Sequence, residues 1–205
     1  MKKFKWILIF SALTLAGCSP QANDRIVPSS PSYTQAGFPN PLVIFNSYLA
    51  TGLTLNVYEY PTSGVTPAGV SISLADQSFK PAAGQSNLLN SVSNYNGDTW
   101  VGFPILSTGA VDLTSGNYSQ LTFYVMGGFT TPAGATQPVT TGVISFNGLG
   151  TATVPVTVTT SWQAVSIPVS GTLSGPANTV LFMSNFYSAS VSAPVTAFID
   201  QIQYQ

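Results

Sequence analysis

Histidine is absent, cysteine occurs once, at Cys18, and charge is scarce. Five basic and six acidic side chains make up 5% of 205 residues, against about 25% in an ordinary soluble domain. Without imidazole there is no Ser-His-Asp or Cys-His catalytic set and no histidine metal site. A lone thiol excludes an intrachain disulfide. The basic residues are Lys2, Lys3, Lys5, Arg25 and Lys80, with none from there to Gln205. Such a chain cannot supply the phosphate contacts on which nucleic-acid affinity rests, so no nucleic-acid partner is expected. No Gly-x-x-x-x-Gly-Lys-Ser/Thr run occurs, and no nucleotide partner is expected either. The apolar run from Trp6 to Ala16 is eleven residues long, too short to cross a hydrocarbon core of about 30 Å as a helix. The chain as a whole is 44% hydrophobic and owes most of its polarity to Ser and Thr hydroxyls. That is too apolar for a disordered chain and suits one compact domain.

The N-terminus reads as an address. Met1 to Lys5 is basic, the apolar run follows, and Leu15-Ala16-Gly17-Cys18 closes it. This ending resembles the lipobox of bacterial lipoproteins. The resemblance implies that residues 1–17 are a signal peptide and that Cys18 is the lipidation site, attaching the chain to the membrane through fatty acyl groups such as palmitate. Ser19, rather than Asp, follows Cys18, which by the same resemblance points to the outer membrane of the cell envelope. The mature chain would keep two basic residues against six acidic ones, a net charge of −4. Residues 18–41 carry five prolines among Ser, Gln and Asn and read as a tether reaching roughly 25 Å. The folded domain is expected over 42–205.

Within it, short runs of β-branched, aromatic and Leu residues alternate with Gly, Pro, Asn and Ser clusters. The pattern predicts strands near 42–49, 53–60, 70–74, 99–106, 120–126, 142–147, 152–159, 162–169, 179–187 and 196–204. The window Gln85 to Gly97 reads as a short helix or a long loop. Asn96-Gly97 and Asn147-Gly148 are tight-turn candidates. Strands without crossover helices predict an all-β fold, an antiparallel two-sheet β-sandwich rather than a closed barrel. Leu121, Phe123 and Val125 share one face and are expected in the core, with Thr122, Tyr124 and Met126 opposite. Pro155, facing away from Val154, Val156 and Val158, marks an edge strand.

Several stretches, taken in order, resemble the jelly-roll carbohydrate-binding modules of the galactose-binding-like superfold. They are Trp100-Val-Gly-Phe103, Val111-Asp-Leu113, Tyr118 to Phe123, Ser161-Trp-Gln-Ala-Val-Ser-Ile-Pro168 and the closing Phe198-Ile-Asp-Gln-Ile202; Leu42 to Leu49 is a looser match. The resemblance covers residues 42 to 204. It implies non-catalytic carbohydrate binding, a core position for Trp162, and a structural calcium held by Asp200, with Asn46 standing where those modules often carry an acid. Strand parity supports the metal: Asp200 lies two residues from Phe198 and from Ile202, and a carboxylate on an apolar face needs a partner. In the alternative, Ile199 points inward and Asp200 is solvated or protonated.

Proteins hold neutral sugars with flat aromatic rings against the apolar sugar faces and with amides or carboxylates on the hydroxyls. The densest such cluster is Asn94-Tyr-Asn-Gly-Asp-Thr-Trp100. Candidate ligand residues are therefore Trp100, Tyr95, Asp98, Tyr124 and Tyr58, the last sharing a strand face with Tyr60 and Asn56. Trp100 has a competing reading as a core residue, and for Tyr124 exposure and burial are evenly balanced. Catalysis is not expected. A glycosidase needs two carboxylates about 5–9.5 Å apart, and no spacing singles out a pair among Glu59, Asp76, Asp98 and Asp112. The expected partner is a neutral glycan; the alternative is a structural or adhesive envelope protein making protein contacts.

Overall fold

The computed structural model describes residues 40–60, 70–75, 87–127 and 142–205. The signal segment, Cys18, Arg25, Asp76, Lys80 and Phe129 lie outside the described residues. Fourteen strands follow in order: β1 (Leu42–Phe45), β2 (Leu53–Leu55), β3 (Tyr58–Tyr60), β4 (Val70–Ala75), β5 (Asn87–Val92), β6 (Trp100–Ser107), β7 (Val111–Asp112), β8 (Gln120–Gly127), β9 (Gly142–Gly148), β10 (Val154–Val158), β11 (Gln163–Pro168), β12 (Ser174–Gly175), β13 (Val180–Tyr187) and β14 (Val195–Tyr204). Every pairing is antiparallel. The first sheet runs β11-β8-β14-β5-β4 with β1 also on β14; the second runs β10-β9-β13-β6-β2 with β3 also on β6; β7 and β12 form a small ribbon. This is the expected antiparallel two-sheet sandwich.

The core lies between the sheets. Leu121, Phe123 and Val125 are buried as their parity requires. Phe123 of the first sheet meets Phe146 and Phe182 of the second at ring distances of 4.8 and 5.1 Å, and Phe103 packs edge-on against Phe186 at 5.1 Å. Tyr204 is fully buried, and its hydroxyl donates to the carbonyls of Leu181 and Leu149 at 2.8 and 3.1 Å. Among the described residues strand β10 pairs only with β9, so Pro155 sits on an edge. Trp162, expected in the core, is half-buried just before β11.

Three departures have physical causes. The window read as helix or loop contains β5, whose Asn90 is fully buried and donates to Ser184 Oγ across the core at 2.7 Å. A polar residue on the inward face hid the strand period. The segment 53–60 is two strands because Pro104 of β6 lies opposite Asn56: it accepts from Asn56 N at 3.1 Å but has no N–H to return. Asn147-Gly148 is the end of β9, and the turn comes after it, at Gly150 with φ of 73°.

Candidate functional site

The outward face of the second sheet carries the candidate site. In β6 the residues Val101, Phe103 and Ile105 point inward, so Trp100 and Gly102 point out. The register places Tyr60 of β3 and Tyr187 of β13 on either side of Trp100, and Tyr58 and Asn185 on either side of Gly102. One row thus reads Tyr60–Trp100–Tyr187 across three neighbouring strands, roughly 10 Å at the usual strand spacing. Among the described residues the four exposed large hydrophobic side chains are Tyr48, Tyr58, Tyr60 and Tyr187, at 61%, 37%, 64% and 39% exposure. Three of them belong to this face, and that concentration is what distinguishes it.

The indole is held flat. A Cβ at position 102 would stand 2.5 Å from Trp100 Cζ2 and 3.2 Å from Met183 Sδ, so only a glycine leaves room for the ring on the strand. Trp100 Nε1 donates to Asn185 Oδ1 at 3.1 Å. Asn185 Nδ2 in turn donates to Asn147 Oδ1 at 2.8 Å and to the Ser145 carbonyl at 3.2 Å. The amide chain fixes the rotamer of the ring and, through the buried Asn185, ties it to the half-buried Asn147 of β9.

A groove of about 530 Å³ opens beside this row, lined by Glu59, Tyr60, Thr99, Trp100, Tyr187 and Ser188. Its strand ends are tied together: Thr99 N donates to the Tyr60 carbonyl at 2.8 Å and Ser188 N to the Thr99 carbonyl at 3.0 Å. The turn leading into β6 has the expected left-handed pair, Asn96 at φ 52° and Gly97 at φ 92°. Glu59 is half-buried, and its Oε2 is shielded with no hydrogen-bond partner among the described residues. Its carboxyl is raised above the ordinary range, first by burial and second by the negative charge of Asp98.

The residues singled out from sequence divide between places. Trp100 and Tyr58 belong to the exposed face. Tyr95 is in the core, donating to the Val191 carbonyl at 3.0 Å, with its phenol pushed up to about 12 by burial; it anchors the turn that delivers Trp100. Asp98 is 3% exposed and lies behind the groove. Tyr124 is on the first sheet as the ladder partner of Asp200, on the opposite side of the molecule from Trp100. Tyr60, Tyr187 and Asn185 were not singled out. The Tyr-x-Tyr spacing of Tyr58 and Tyr60 is a signal for the first, but nothing in the sequence says that β13 pairs with β6.

Asp200 is fully buried, with Oδ1 accepting from Gln201 N at 2.7 Å. Gln201 has φ 52°, and the register shifts between Asp200 and Gln203. The bulge corrects the simple parity argument: Asp200 shares with Phe198 and Tyr124 the face turned away from the interior, while Ile202 joins the core. Asn87, also fully buried, precedes Leu88, the partner of Ile199. Asn46 is exposed. Among the described residues no three acidic, His or Cys side chains group as metal ligands. The buried carboxylate and neighbouring amide are oxygen donors of the kind a hard cation takes; Asn46 adds nothing buried to them.

The sequence matches no protein-family model and no curated protein. Among solved structures, the chain is similar to the family 30 carbohydrate-binding module of a cellulosomal cellulase of Clostridium thermocellum, with 19% identity, 80% of this chain and 96% of that chain covered, and a TM-score of 0.48. The extra C-terminal domain of an exo-1,3/1,4-β-glucanase from a Pseudoalteromonas species gives 11%, 80%, 91% and 0.49. A xylan-binding domain from Paenibacillus barcinonensis gives 15%, 83%, 96% and 0.41. These are likenesses of overall shape at low identity, and the functional reading rests on the residues of this chain.

Proposed function

We propose that this protein binds a neutral glycan without cleaving it, on the outward face of its second sheet, while its N-terminal lipid holds it in the cell envelope. The observation that carries the reading is the row Tyr60–Trp100–Tyr187, three aromatic side chains on adjacent strands, with the indole locked flat over Gly102 and bordered by amides. Rings of this kind cover the apolar faces of sugars, and the half-buried Asn147 and the groove hydroxyls meet their polar edges, while the buried Asn185 holds the indole in place. Hydrolysis is disfavoured by the placement of the acids. Among the described residues Glu59 and Asp98 are the two that come together, but Asp98 does not line the groove, so no second described carboxylate of the kind a glycosidase requires faces a substrate there.

Retention on a panel of neutral polysaccharide gels tests the reading. Wild type is expected to be retarded by at least one, and Trp100→Ala to weaken that interaction roughly tenfold or more, the effect of losing the burial of one large ring. A folded Trp100→Ala protein that binds as wild type does would contradict it.

The lipid belongs to the same proposal and is supported by Leu15-Ala16-Gly17-Cys18. Cys18→Ser should abolish incorporation of labelled palmitate and release the protein from the outer-membrane fraction. A structural calcium at Asp200 is supported by that carboxylate's complete burial. Chelation should then lower the melting temperature of wild type and leave that of Asp200→Asn unmoved. The adhesive alternative has less to stand on, since the edge strand β10 carries Pro155, which cannot donate to an added strand.

A further inference from the structure

The turn that delivers Trp100 to the surface carries a reactive pair. Asn-Gly occurs twice in the chain, at Asn96-Gly97 and Asn147-Gly148. In such a pair the glycine has no side chain to keep its amide nitrogen away from the asparagine Cγ, so the two can close into a five-membered ring. The structure puts the two pairs in opposite surroundings. Asn96 and Gly97 are both exposed, at φ 52° and 92°, and a Cβ built on Gly97 would meet nothing within 4 Å. Their turn is closed by Asp98 N donating to the Tyr95 carbonyl at 2.8 Å, so the Gly97 nitrogen is not the one that holds it. Gly148 is a strand residue paired with Phe182. Its N donates to Thr151 Oγ1 at 2.7 Å, and a Cβ there would stand 2.6 Å from the Leu181 carbonyl oxygen. Turning that nitrogen towards Asn147 Cγ requires the end of β9 to open first.

We propose that Asn96 is a site of spontaneous deamidation and that its isoaspartate product displaces Trp100 from its seat on the sheet. This goes beyond the glycan-binding reading and does not depend on it. The Gly97 nitrogen, having lost its proton to hydroxide, attacks Asn96 Cγ. A C–N bond forms, the bond from Cγ to Nδ2 breaks, and Nδ2 leaves as ammonia, taking a proton back from water. Water then opens the succinimide at one of its two carbonyls. Opening at the side-chain carbonyl gives aspartate, and opening at the backbone carbonyl gives isoaspartate. Both products carry a new negative charge, but only isoaspartate inserts a methylene into the main chain. The turn is pinned on both sides. Tyr95 is held in the core by its bond to the Val191 carbonyl, and Thr99 N by the Tyr60 carbonyl at 2.8 Å. An added backbone atom between these anchors breaks the Tyr95–Asp98 closure, and the displacement falls on Asp98, Thr99 and Trp100.

Incubation of the folded mature chain at mildly alkaline pH, followed by peptide mapping, tests the site. The Asn96 peptide is expected to gain about 1 Da, as separable aspartate and isoaspartate forms, about tenfold faster or more than the Asn147 peptide. The indole N–H resonances of the incubated protein test the consequence. That of Trp100 should move, while that of Trp162, just before β11, stays where it was. Asn96→Gln, whose longer side chain cannot close the five-membered ring, should keep the Trp100 resonance in place through the same incubation. This variant separates an effect of Asn96 from one of Asn147, whose Oδ1 accepts from the Asn185 amide that holds the indole. Equal rates in the two peptides, or deamidation confined to Asn147, would overturn the assignment of the site. An isoaspartate form at residue 96 with Trp100 unmoved, or a Trp100 shift that persists in Asn96→Gln, would overturn the displacement. Failure of the whole gel panel would overturn the glycan-binding reading and leave this inference standing.

Discussion

Gly102 and Trp100 show how one small residue sets the chemistry of a large one. The glycine is required by space: its backbone needs no left-handed conformation, but any side chain would collide with the indole. Gly102→Ala should lift the ring off the sheet and break its bond to Asn185. We expect a red-shifted, more quenchable tryptophan emission and glycan affinity reduced several-fold, with the circular dichroism of the fold retained. An unchanged affinity would mean that the ring orientation does not matter to binding. Trp100 was legible in the sequence as one of two things, a ligand platform or a core residue, and the structure shows why both readings had force: it is half-buried, one edge over Gly102 and the ring beside the groove. Tyr95 and Asp98, from the same dense cluster, could not be told from Trp100 by composition. The turn at Asn96-Gly97 reverses the chain between them, sending Tyr95 inward and Trp100 to the surface.

At the scale of single elements, alternation was readable wherever apolar and polar residues kept strict order, as in β8 and β10. It failed where a strand breaks that order for a structural reason. Strand β5 puts Asn90 into the core, and its amide is tolerable there because Ser184 on β13 accepts from it. Ser184→Ala should therefore cost about 1–3 kcal/mol by leaving the buried amide donor unsatisfied, measured as a shift in the denaturant midpoint at constant slope. A cost near zero would show that water or another group takes over. The bulge at Asp200–Gln201 was invisible for a related reason. A one-residue slip moves every later side chain to the other face, so strict alternation offered either Ile199 inward with Asp200 outward or Ile202 inward with Asp200 beside it; the bulge puts both Ile199 and Ile202 in the core and Asp200 outside it. Likewise, Pro104 looks like a strand breaker, yet its own strand is unbroken and the interruption falls on its neighbour, between β2 and β3.

For the whole molecule, the two outward faces differ in kind. On the first sheet the outward residues Met126, Phe198 and Asp200 are buried; on the second, tyrosines stand in solvent around a half-buried tryptophan. The sandwich could be inferred from strand number and the lack of helices, but the convergence of Tyr58, Tyr60, Trp100 and Tyr187 depends on β3, β6 and β13 being neighbours, a long-range pairing that no local pattern encodes. The interior also predicts how stability depends on pH. Burial pushes the phenols of Tyr95 and Tyr118 up to about 12 and that of Tyr204 higher still. Unfolded tyrosines titrate near 10, so the unfolded chain releases these protons first. The stabilisation is complete below about pH 10 and is lost as pH rises towards the folded values. Melting temperature should thus fall above pH 10 in wild type and fall less steeply in Tyr95→Phe; parallel curves would contradict the burial of that phenol.

The most direct test of the central claim is to map, by heteronuclear NMR, which resonances of the mature chain move when the best-retained oligosaccharide is titrated in. The account predicts shifts confined to the second sheet's outward face, at Tyr58, Tyr60, the Trp100 indole N–H, the Asn185 side-chain amide and Tyr187, with Tyr124 and Gln203 on the first sheet unmoved. Shifts that cluster instead around Tyr124 and Gln203, or at Tyr48, would contradict it.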